Sequence, residues 1–241
     1  MGELKLGKFL LKTPAICGAI TGFNLEEVET GILSAIKQGA DLIELRFDNL
    51  REKKGWEKLI PTDVPTIFTN RPKREGGGFR GTEEKRVDFI LDAVINGVSC
   101  VDIEFSTPKK LRNLVISEAK RLGVSVIISY HDFSKTPAVD KLIDFAKKMA
   151  SARYGLVKIV TFAKGSVDSH RILDFLAQAQ NQVSVPVLAF AMGEVGRVTR
   201  IIAPLMGSPF TYANVGKPTA PGQFEVAEAK KLLCTLMPGE I

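Results

Sequence analysis

The sequence predicts an α/β protein, a (β/α)8 TIM barrel, and three observations support that fold class. Short apolar runs rich in β-branched residues recur along the chain, and a longer amphipathic stretch follows each of them. There are eight such runs, at intervals averaging about 28 residues, which suits a strand joined to its crossover helix. The runs are almost continuously apolar rather than alternating, as is typical of parallel strands covered on both faces.

The eight runs give the predicted strands in order. They are Ala15–Ile20, Leu42–Arg46, Thr66–Thr69, Cys100–Glu104, Ser125–Ser129, Leu156–Thr161, Val185–Phe190 and Phe210–Ala213. Gly39, Gly97 and Gly123 stand where the intervening helices should end. Before the first strand, the segment Glu3–Lys12 has a glycine at its centre and is expected to form a β-hairpin that closes the bottom of the barrel.

Three side chains are predicted to cap helix N-termini. Asn24 is followed by Glu27 at the spacing of a capping-box variant. Thr107 and Thr136 each precede a proline, which is favoured at the first helical position because its missing N–H costs nothing there. We therefore expect both threonines to cap the helices that follow them.

The composition is that of an ordinary globular protein and argues against disorder, with 45% hydrophobic and 25% charged residues. No linker or low-complexity segment interrupts the series, so residues 1–241 are expected to form a single catalytic domain. No apolar run reaches the roughly 20 residues needed to cross a bilayer. The N-terminus also lacks the apolar stretch of a signal peptide, so no membrane association and a cytoplasmic location are expected.

The charge balance bears on the possible partners. The chain has 33 Lys and Arg against 27 Asp and Glu, for a net charge of +6, yet one Trp and three Tyr provide little stacking for nucleic acid. A solvated basic surface or a site for small anions is favoured over nucleic-acid binding. The three cysteines lie far apart and only two histidines are present, so no metal site is expected. The absence of a Gly-x-Gly-x-x-Gly motif argues against a dinucleotide fold.

In a barrel of this class the active site lies at the C-terminal ends of the strands. Charged and polar side chains stand at the ends of several of the predicted strands, which is more charge than a stable core needs. Those singled out are Glu44, Arg46, Asp48, Thr69, Arg71, Asp102, Glu104, Ser129, His131, Asp132 and Asn214, together with Lys158, which lies inside the sixth strand. The sequence therefore predicts a polar site at this end of the barrel.

Two of these residues have chemistry suited to catalysis. Lys158 lies between Val157 and Ile159, and its amine either reaches the surface beside its buried neighbours or is held away from water as a nucleophile for a ketone or aldehyde. His131 follows a strand and is either a structural histidine or a proton carrier near neutral pH. The pattern of residues alone leaves both interpretations open for Lys158 and for His131.

The polar segments also form an ordered series of motifs. These are Glu44-Leu45-Arg46-Phe47-Asp48, Thr69-Asn70-Arg71 with Glu75-Gly76-Gly77, Asp102-Ile103-Glu104, Ser129-Tyr130-His131-Asp132-Phe133, Lys158-Ile159, Met192-Gly193, Arg200 and Ala220-Pro221-Gly222-Gln223. Together they resemble type I 3-dehydroquinase, the Schiff-base dehydratase family of the shikimate pathway. The resemblance extends from about residue 14 to residue 223.

The resemblance implies an enzyme that eliminates water from 3-dehydroquinate to give 3-dehydroshikimate, without a metal or an organic cofactor, and that forms a homodimer. It implies that Lys158 forms the Schiff base, that His131 is the general acid and base, and that Glu75 orients the histidine. The residues implied to bind substrate are Glu44, Arg46, Arg71, Arg200, Thr219 and Gln223.

Two positions depart from the family's pattern. Thr219 stands where a serine is common but keeps the hydroxyl, whereas Ala19 replaces a serine of the first strand and loses it. Neither position touches the implied covalent step. The Gly- and Pro-rich segments 75–81 and 217–223 carry site residues and are expected to act as lids that exclude water.

Two other functions fit the same scaffold. A class I aldolase would also use a lysine on the sixth strand, and the glycines of the segment 192–200 would suit a phosphate. A barrel that only binds a carboxylate metabolite would leave the lysine and the histidine without a reason to converge. Arg71 and Arg200 together with Glu44 suit a polyhydroxy carboxylate better than a sugar phosphate.

Overall fold

The structure is a computed structural model, and it describes residues 2–152 and 154–237. The strands in this part of the chain are β1 (Gly2–Leu6), β2 (Phe9–Thr13), β3 (Ala15–Thr21), β4 (Leu42–Arg46), β5 (Thr66–Thr69), β6 (Cys100–Glu104), β7 (Ser125–His131), β8 (Leu156–Phe162), β9 (Val187–Met192) and β10 (Phe210–Asn214). The α-helices are α1 (Leu25–Lys37), α2 (Glu83–Ile95), α3 (Lys109–Leu122), α4 (Val139–Met149), α5 (Ser166–Gln182), α6 (Thr199–Leu205) and α7 (Val226–Leu236).

The strands β3 to β10 form a nearly closed parallel barrel with the helices outside it, which confirms the predicted fold class. The order is β10-β3-β4-β5-β6-β7-β8-β9, and every neighbouring pair is parallel. Helix α6 packs against both β9 and β10. Three strands have the predicted bounds, and the other five extend one or two residues beyond their predicted C-terminal ends. One of these five, β9, also begins two residues later than predicted, immediately after Pro186, which has no N–H to donate.

The N-terminal hairpin closes the bottom of the barrel, as the sequence predicts. Strands β1 and β2 pair antiparallel, and Leu4, Leu6 and Leu11 pack with the side chains that fill the barrel interior. Gly7 lies between the two strands at φ +57°, and a Cβ there would stand 2.8 Å from the carbonyl oxygen of Ser99. The turn can therefore approach the barrel this closely only with glycine.

The predicted helix caps are confirmed at one position and wrong at two. The Asn24 side chain accepts from the Glu27 amide at 2.8 Å. Helices α3 and α4 begin only at Lys109 and Val139, and their N-terminal residues receive no side-chain cap.

The two threonines expected to cap them are buried and bond elsewhere. The hydroxyl of Thr107 accepts from Arg86 Nη2 at 2.6 Å, and that of Thr136 donates to the Thr161 hydroxyl at 2.8 Å. Both threonine hydroxyls thus bond to buried side chains rather than to the amides of the helix N-termini, because a buried hydroxyl or guanidinium left without a hydrogen bond is costly.

The helices α1 to α7 cover the outer face of the barrel. Their buried side chains pack against the outward-facing residues of the strands and form the larger part of the core. Within the described ranges, none of the helices has both the length and the apolar character that crossing a bilayer requires.

Candidate active site

Six buried charged side chains meet inside the barrel near the C-terminal ends of β4 to β8. The cations are Arg71, Arg86 and Lys158, and the carboxylates are Glu44, Asp102 and Glu104. Ion pairs of 2.6 Å join Glu104 to both arginines, and one of 2.8 Å joins Arg71 to Asp102. Each buried cation thus lies beside a carboxylate, which offsets the cost of several kcal/mol that an unpaired buried charge would carry.

Lys158 projects into the barrel from the middle of β8. Its neighbours Val157 and Ile159 face the helices instead, because side chains alternate along a strand. Only 4% of Lys158 is exposed, so the reading in which its amine reaches the surface is wrong. Its Nζ donates to Asp102 Oδ2 at 2.8 Å and to the Tyr212 hydroxyl at 3.3 Å.

The carboxylates around the amine are fixed by further hydrogen bonds. Glu44 Oε1 lies 3.8 Å from Lys158 Nζ and accepts from the Thr69 hydroxyl at 2.8 Å. Burial alone would raise the pKa of Asp102, but the charges of Arg71 and Lys158 outweigh it and hold that pKa well below its usual range. Asp102 is therefore ionised and compensates the positive charge of the amine.

His131 ends β7 and is held by Glu75. Its Nδ1 lies 3.0 Å from Glu75 Oε2, and the other carboxylate oxygen accepts from the Ser106 hydroxyl. Burial alone would raise the pKa of Glu75, but these hydrogen bonds outweigh it and lower that pKa. Because an ionised carboxylate only accepts, Nδ1 carries the hydrogen, and Nε2 keeps a free lone pair.

The imidazole is neutral in this environment. Burial and the nearby positive charge of Arg71 lower the pKa of His131 to about 3, even though the hydrogen bond with Glu75 acts in the opposite direction. A neutral imidazole oriented by a carboxylate is the form that accepts a proton from a substrate.

Arg200 enters the same region from α6 and is almost fully buried. Its Nη2 donates to the Pro221 carbonyl at 3.1 Å, and its guanidinium lies 4.3 Å from the centre of the Phe190 ring. Its Nε has no hydrogen-bond partner, and no carboxylate of the described residues pairs with it. Burial lowers the pKa of Arg200 to about 9, so it stays charged at neutral pH. A buried, uncompensated guanidinium is suited to binding an anion.

Two loops carry the remaining predicted residues. Arg46 pairs with Asp48 at 2.8 Å, and Asp48 in turn accepts from the amide of Gly78 at 2.8 Å, which ties the segment 75–81 to β4. In the segment 217–223, Gln223 Oε1 accepts from the Thr219 amide at 2.7 Å and from its hydroxyl at 3.1 Å. The carbonyl of Gln223 thus holds its own loop, which leaves its amide nitrogen as the group able to donate to a ligand.

All nine residues that the sequence indicates as the site line one cavity of about 210 Å³. They are Glu44, Arg46, Arg71, Glu75, His131, Lys158, Arg200, Thr219 and Gln223. Phe133, Met192 and Tyr212 also line it. Tyr212 is a site residue that the sequence pattern did not predict, although it stands two residues after Phe210 and therefore on the same, inward face of β10.

Asp102 and Glu104 do not line the cavity, but they form ion pairs with Arg71 and Lys158, which do. Asp102 and Glu104 were recognised in the sequence as polar ends of a strand, but their contacts with the amine and the two arginines became evident only in three dimensions. Among the described residues, no group of three or more His, Cys, Asp and Glu side chains is arranged to hold a metal ion.

The family model and the curated relatives indicate one family. The model of the family described as type I 3-dehydroquinase matches residues 16–238. A 3-dehydroquinate dehydratase of Methanococcoides burtonii is 34% identical over 238 residues, covering 95% of this chain and 98% of that protein. One of Methanosarcina barkeri is 36% identical over 210 residues, covering 83% and 86%.

Solved structures of proteins with the same name have the same fold. The 3-dehydroquinate dehydratase of Geobacillus kaustophilus superposes with a TM-score of 0.90 at 22% identity, covering 100% of this chain and 98% of that one. That of Aquifex aeolicus superposes with a TM-score of 0.80 at 25% identity, covering 93% and 99%. The match of the family model over most of the sequence, with relatives above 30% identity, shows that this chain belongs to the type I 3-dehydroquinase family.

Proposed function

We propose that the barrel cavity eliminates water from 3-dehydroquinate to give 3-dehydroshikimate, with Lys158 as the Schiff-base residue and His131 as the general acid and base. The hydroxyl that leaves is β to a ketone, so a carbanion must develop on the carbon beside that carbonyl. A protonated imine on Lys158 places a positive charge next to that carbon, where it withdraws the developing negative charge.

His131 carries out the proton transfers of the elimination. With Nδ1 held by Glu75, the free lone pair of Nε2 takes the proton from the carbon beside the imine. The protonated ring then delivers a proton to the departing hydroxyl, which leaves as water. Hydrolysis of the product imine regenerates the amine and releases 3-dehydroshikimate.

The other residues bind and orient the substrate. Arg200 holds its carboxylate, because a planar guanidinium with free donors binds a carboxylate in a bidentate manner. Glu44, Arg46 and Arg71 bind and position the ring hydroxyls. Thr219 and Gln223 cover the substrate from the segment 217–223 and exclude water.

One observation carries this proposal. A single cavity is lined by a buried amine that is charge-balanced by carboxylates and by a buried guanidinium that no carboxylate of the described residues balances. A ketone beside the amine and a carboxylate beside the guanidinium match the two functional groups of 3-dehydroquinate. The match of the type I 3-dehydroquinase family model to residues 16–238 favours this reaction over that of an aldolase.

The test is borohydride reduction with 3-dehydroquinate present, followed by mass mapping of the peptides. We expect a stable adduct on the peptide that carries Lys158 and none in Lys158→Ala. In His131→Ala the adduct should persist while formation of the conjugated enone, followed by its ultraviolet absorbance, collapses. An adduct on another lysine would reassign the nucleophile, and full turnover in His131→Ala would remove the histidine from the mechanism.

The remaining parts of the proposal concern the state of the chain. The family resemblance supports a homodimer that acts in the cytoplasm on a small molecule, and light scattering on the purified protein tests the dimer. Residues 1–241 are proposed to act as one catalytic domain, which the extent of the barrel from β3 to α7 supports. If the chain is one domain, its thermal unfolding should show a single cooperative transition.

A further inference from the structure

Tyr212 contacts the reacting nitrogen, although the site residues identified from the sequence do not include it. Its hydroxyl lies 3.3 Å from Lys158 Nζ, and its ring centre lies 4.3 Å from the same atom. The residue is 4% exposed, lines the cavity, and packs with Phe190 and Phe210 on the neighbouring inner wall. The aromatic packing fixes the ring, so the hydroxyl is held at the amine.

The hydrogen-bond arrangement leaves the phenol able to donate. In the unliganded site the lysine ammonium donates to Tyr212 Oη, so the phenol acts as an acceptor there. Among the described residues, no acceptor takes the phenol's own hydrogen, which is therefore available to a ligand in the cavity. Burial and the negative charge of Glu44 raise the pKa of Tyr212 well above its ordinary value, so the phenol keeps this hydrogen at neutral pH.

Formation of the imine requires such a group. When the amine attacks the ketone, the C–N bond forms and the carbonyl electron pair moves to oxygen. Starting from the charged amine, two of its three hydrogens must pass from nitrogen to that oxygen. The C–O bond then breaks with its electron pair on the departing water, and the nitrogen lone pair completes the protonated imine.

We propose that Tyr212 is a catalytic residue for the formation and hydrolysis of the imine, relaying a proton between Lys158 Nζ and the oxygen that leaves as water. The phenol donates its hydrogen to the oxygen and takes one from the nitrogen, so it ends each transfer unchanged. This role rests on the proposed function of Lys158. It also explains why imine formation should persist without His131, because the relay does not pass through the imidazole.

The experiment separates imine formation from later steps. The adduct on Lys158 is quantified by rapid mixing with 3-dehydroquinate, a borohydride quench and mass spectrometry, in water and in deuterium oxide. Tyr212→Phe keeps the ring and its packing and removes only the hydroxyl. Tyr130→Phe is the matched control, because the Tyr130 hydroxyl lies 3.4 Å from Asp132 and the residue does not line the cavity.

We expect Tyr212→Phe to form the adduct about 100-fold more slowly, within the range typical of general acid–base catalysis. The solvent isotope effect on this step should change in Tyr212→Phe and remain in Tyr130→Phe. Thermal unfolding and the final adduct yield, both near those of the wild type, establish that the variant is folded and competent. In His131→Ala the adduct should still form, and the added Tyr212→Phe change should slow its formation further.

The possible failures are distinguishable. An adduct rate in Tyr212→Phe within twofold of the wild type, with an unaltered isotope effect, would refute the relay and leave the proposed function intact. A slow rate with an unaltered isotope effect would assign Tyr212 to positioning of the amine instead and would also refute the relay. No adduct on Lys158 in the wild-type protein would overturn the proposed function itself.

Discussion

Replacing Arg200 by methionine should make the free protein more stable and at the same time nearly inactive. The guanidinium is buried without a carboxylate partner among the described residues, so the folded protein bears the cost of removing a charge from water. Methionine fills a similar volume without a charge. Stability and activity should therefore change in opposite directions at this one position.

The size of the effect follows from the pKa. Burial lowers the pKa of Arg200 to about 9. Relative to an ordinary value of about 12.5, this is a cost of about 5 kcal/mol to the charged form. At pH 7 the side chain is charged in both the folded and the unfolded chain, so the whole cost falls on the folded state; it is relieved only above about pH 9.

Two favourable contacts offset part of this cost. The hydrogen bond to the Pro221 carbonyl and the contact with the Phe190 ring together contribute about 3–4 kcal/mol. Arg200→Met should then raise the free energy of unfolding by about 1–2 kcal/mol. For a chain of this size that corresponds to an increase of about 3–6 °C in Tm.

The loss of activity should be larger than the gain in stability. Removing one partner of a buried charge pair costs about 2–4 kcal/mol, or about 30- to 1,000-fold in kcat/KM for 3-dehydroquinate. Urea unfolding and steady-state kinetics measure the two quantities. The control is Arg197→Met, because Arg197 is partly exposed and pairs with Glu228 at 3.3 Å, so its loss should change stability by less than about 1 kcal/mol.

Either of two results would refute this reasoning. A loss of more than about 1 kcal/mol of stability in Arg200→Met would mean that the buried charge is compensated in the folded protein. A kcat/KM within threefold of the wild type would mean that Arg200 does not bind the substrate carboxylate.

Three further predictions concern the amine, the bottom of the barrel and the histidine. Asp102→Asn should lower the free energy of unfolding by about 3–5 kcal/mol in urea, because Lys158 loses the buried negative charge at 2.8 Å. Gly7→Ala should lower the Tm, at a cost of about 1–3 kcal/mol, since its Cβ would meet the Ser99 carbonyl at a positive φ; an unchanged Tm would contradict this. The nuclear magnetic resonance signal of His131 should remain that of a neutral ring down to pH 5, because burial lowers its pKa to about 3; a midpoint near 6.5 would contradict it.

The local sequence predicts the ends of the strands better than the N-termini of the helices. The strands β4, β5 and β6 begin and end where the predicted runs do, because the outward-facing apolar residues of each run pack against the helices while the charged or polar residues near its end face the barrel interior. The helix N-termini after Thr107 and Thr136 were placed too early. A capping preference is a local effect of about 1 kcal/mol, and buried partners such as Arg86 outweigh it once the chain has folded.

The site residues on the strands could be expected to lie together because the fold limits where they lie, whereas Glu75, Arg200, Thr219 and Gln223 were implied only by the resemblance to the family. In a parallel barrel the polar residues that end successive strands meet at one mouth, so their positions in the sequence imply their proximity. Tyr212 escaped this reasoning because an aromatic residue inside an apolar run is expected in a core. Its role depends on the hydroxyl, and only the position of Lys158 Nζ in space gives that hydroxyl a partner.

The sequence by itself determined the order of strands and helices, the hairpin at the bottom, and the amine and imidazole available for chemistry, and the family resemblance added the guanidinium of Arg200. Periodic burial and strand ends are properties of neighbouring residues, so they can be recognised along the chain. Only the tertiary structure decided that the amine of Lys158 points inward, that Arg71, Arg86 and Lys158 are each paired with a buried carboxylate, and that Arg200 has no carboxylate partner among the described residues. These depend on distances between residues far apart in the chain, because a charge is compensated by what lies within a few ångströms of it.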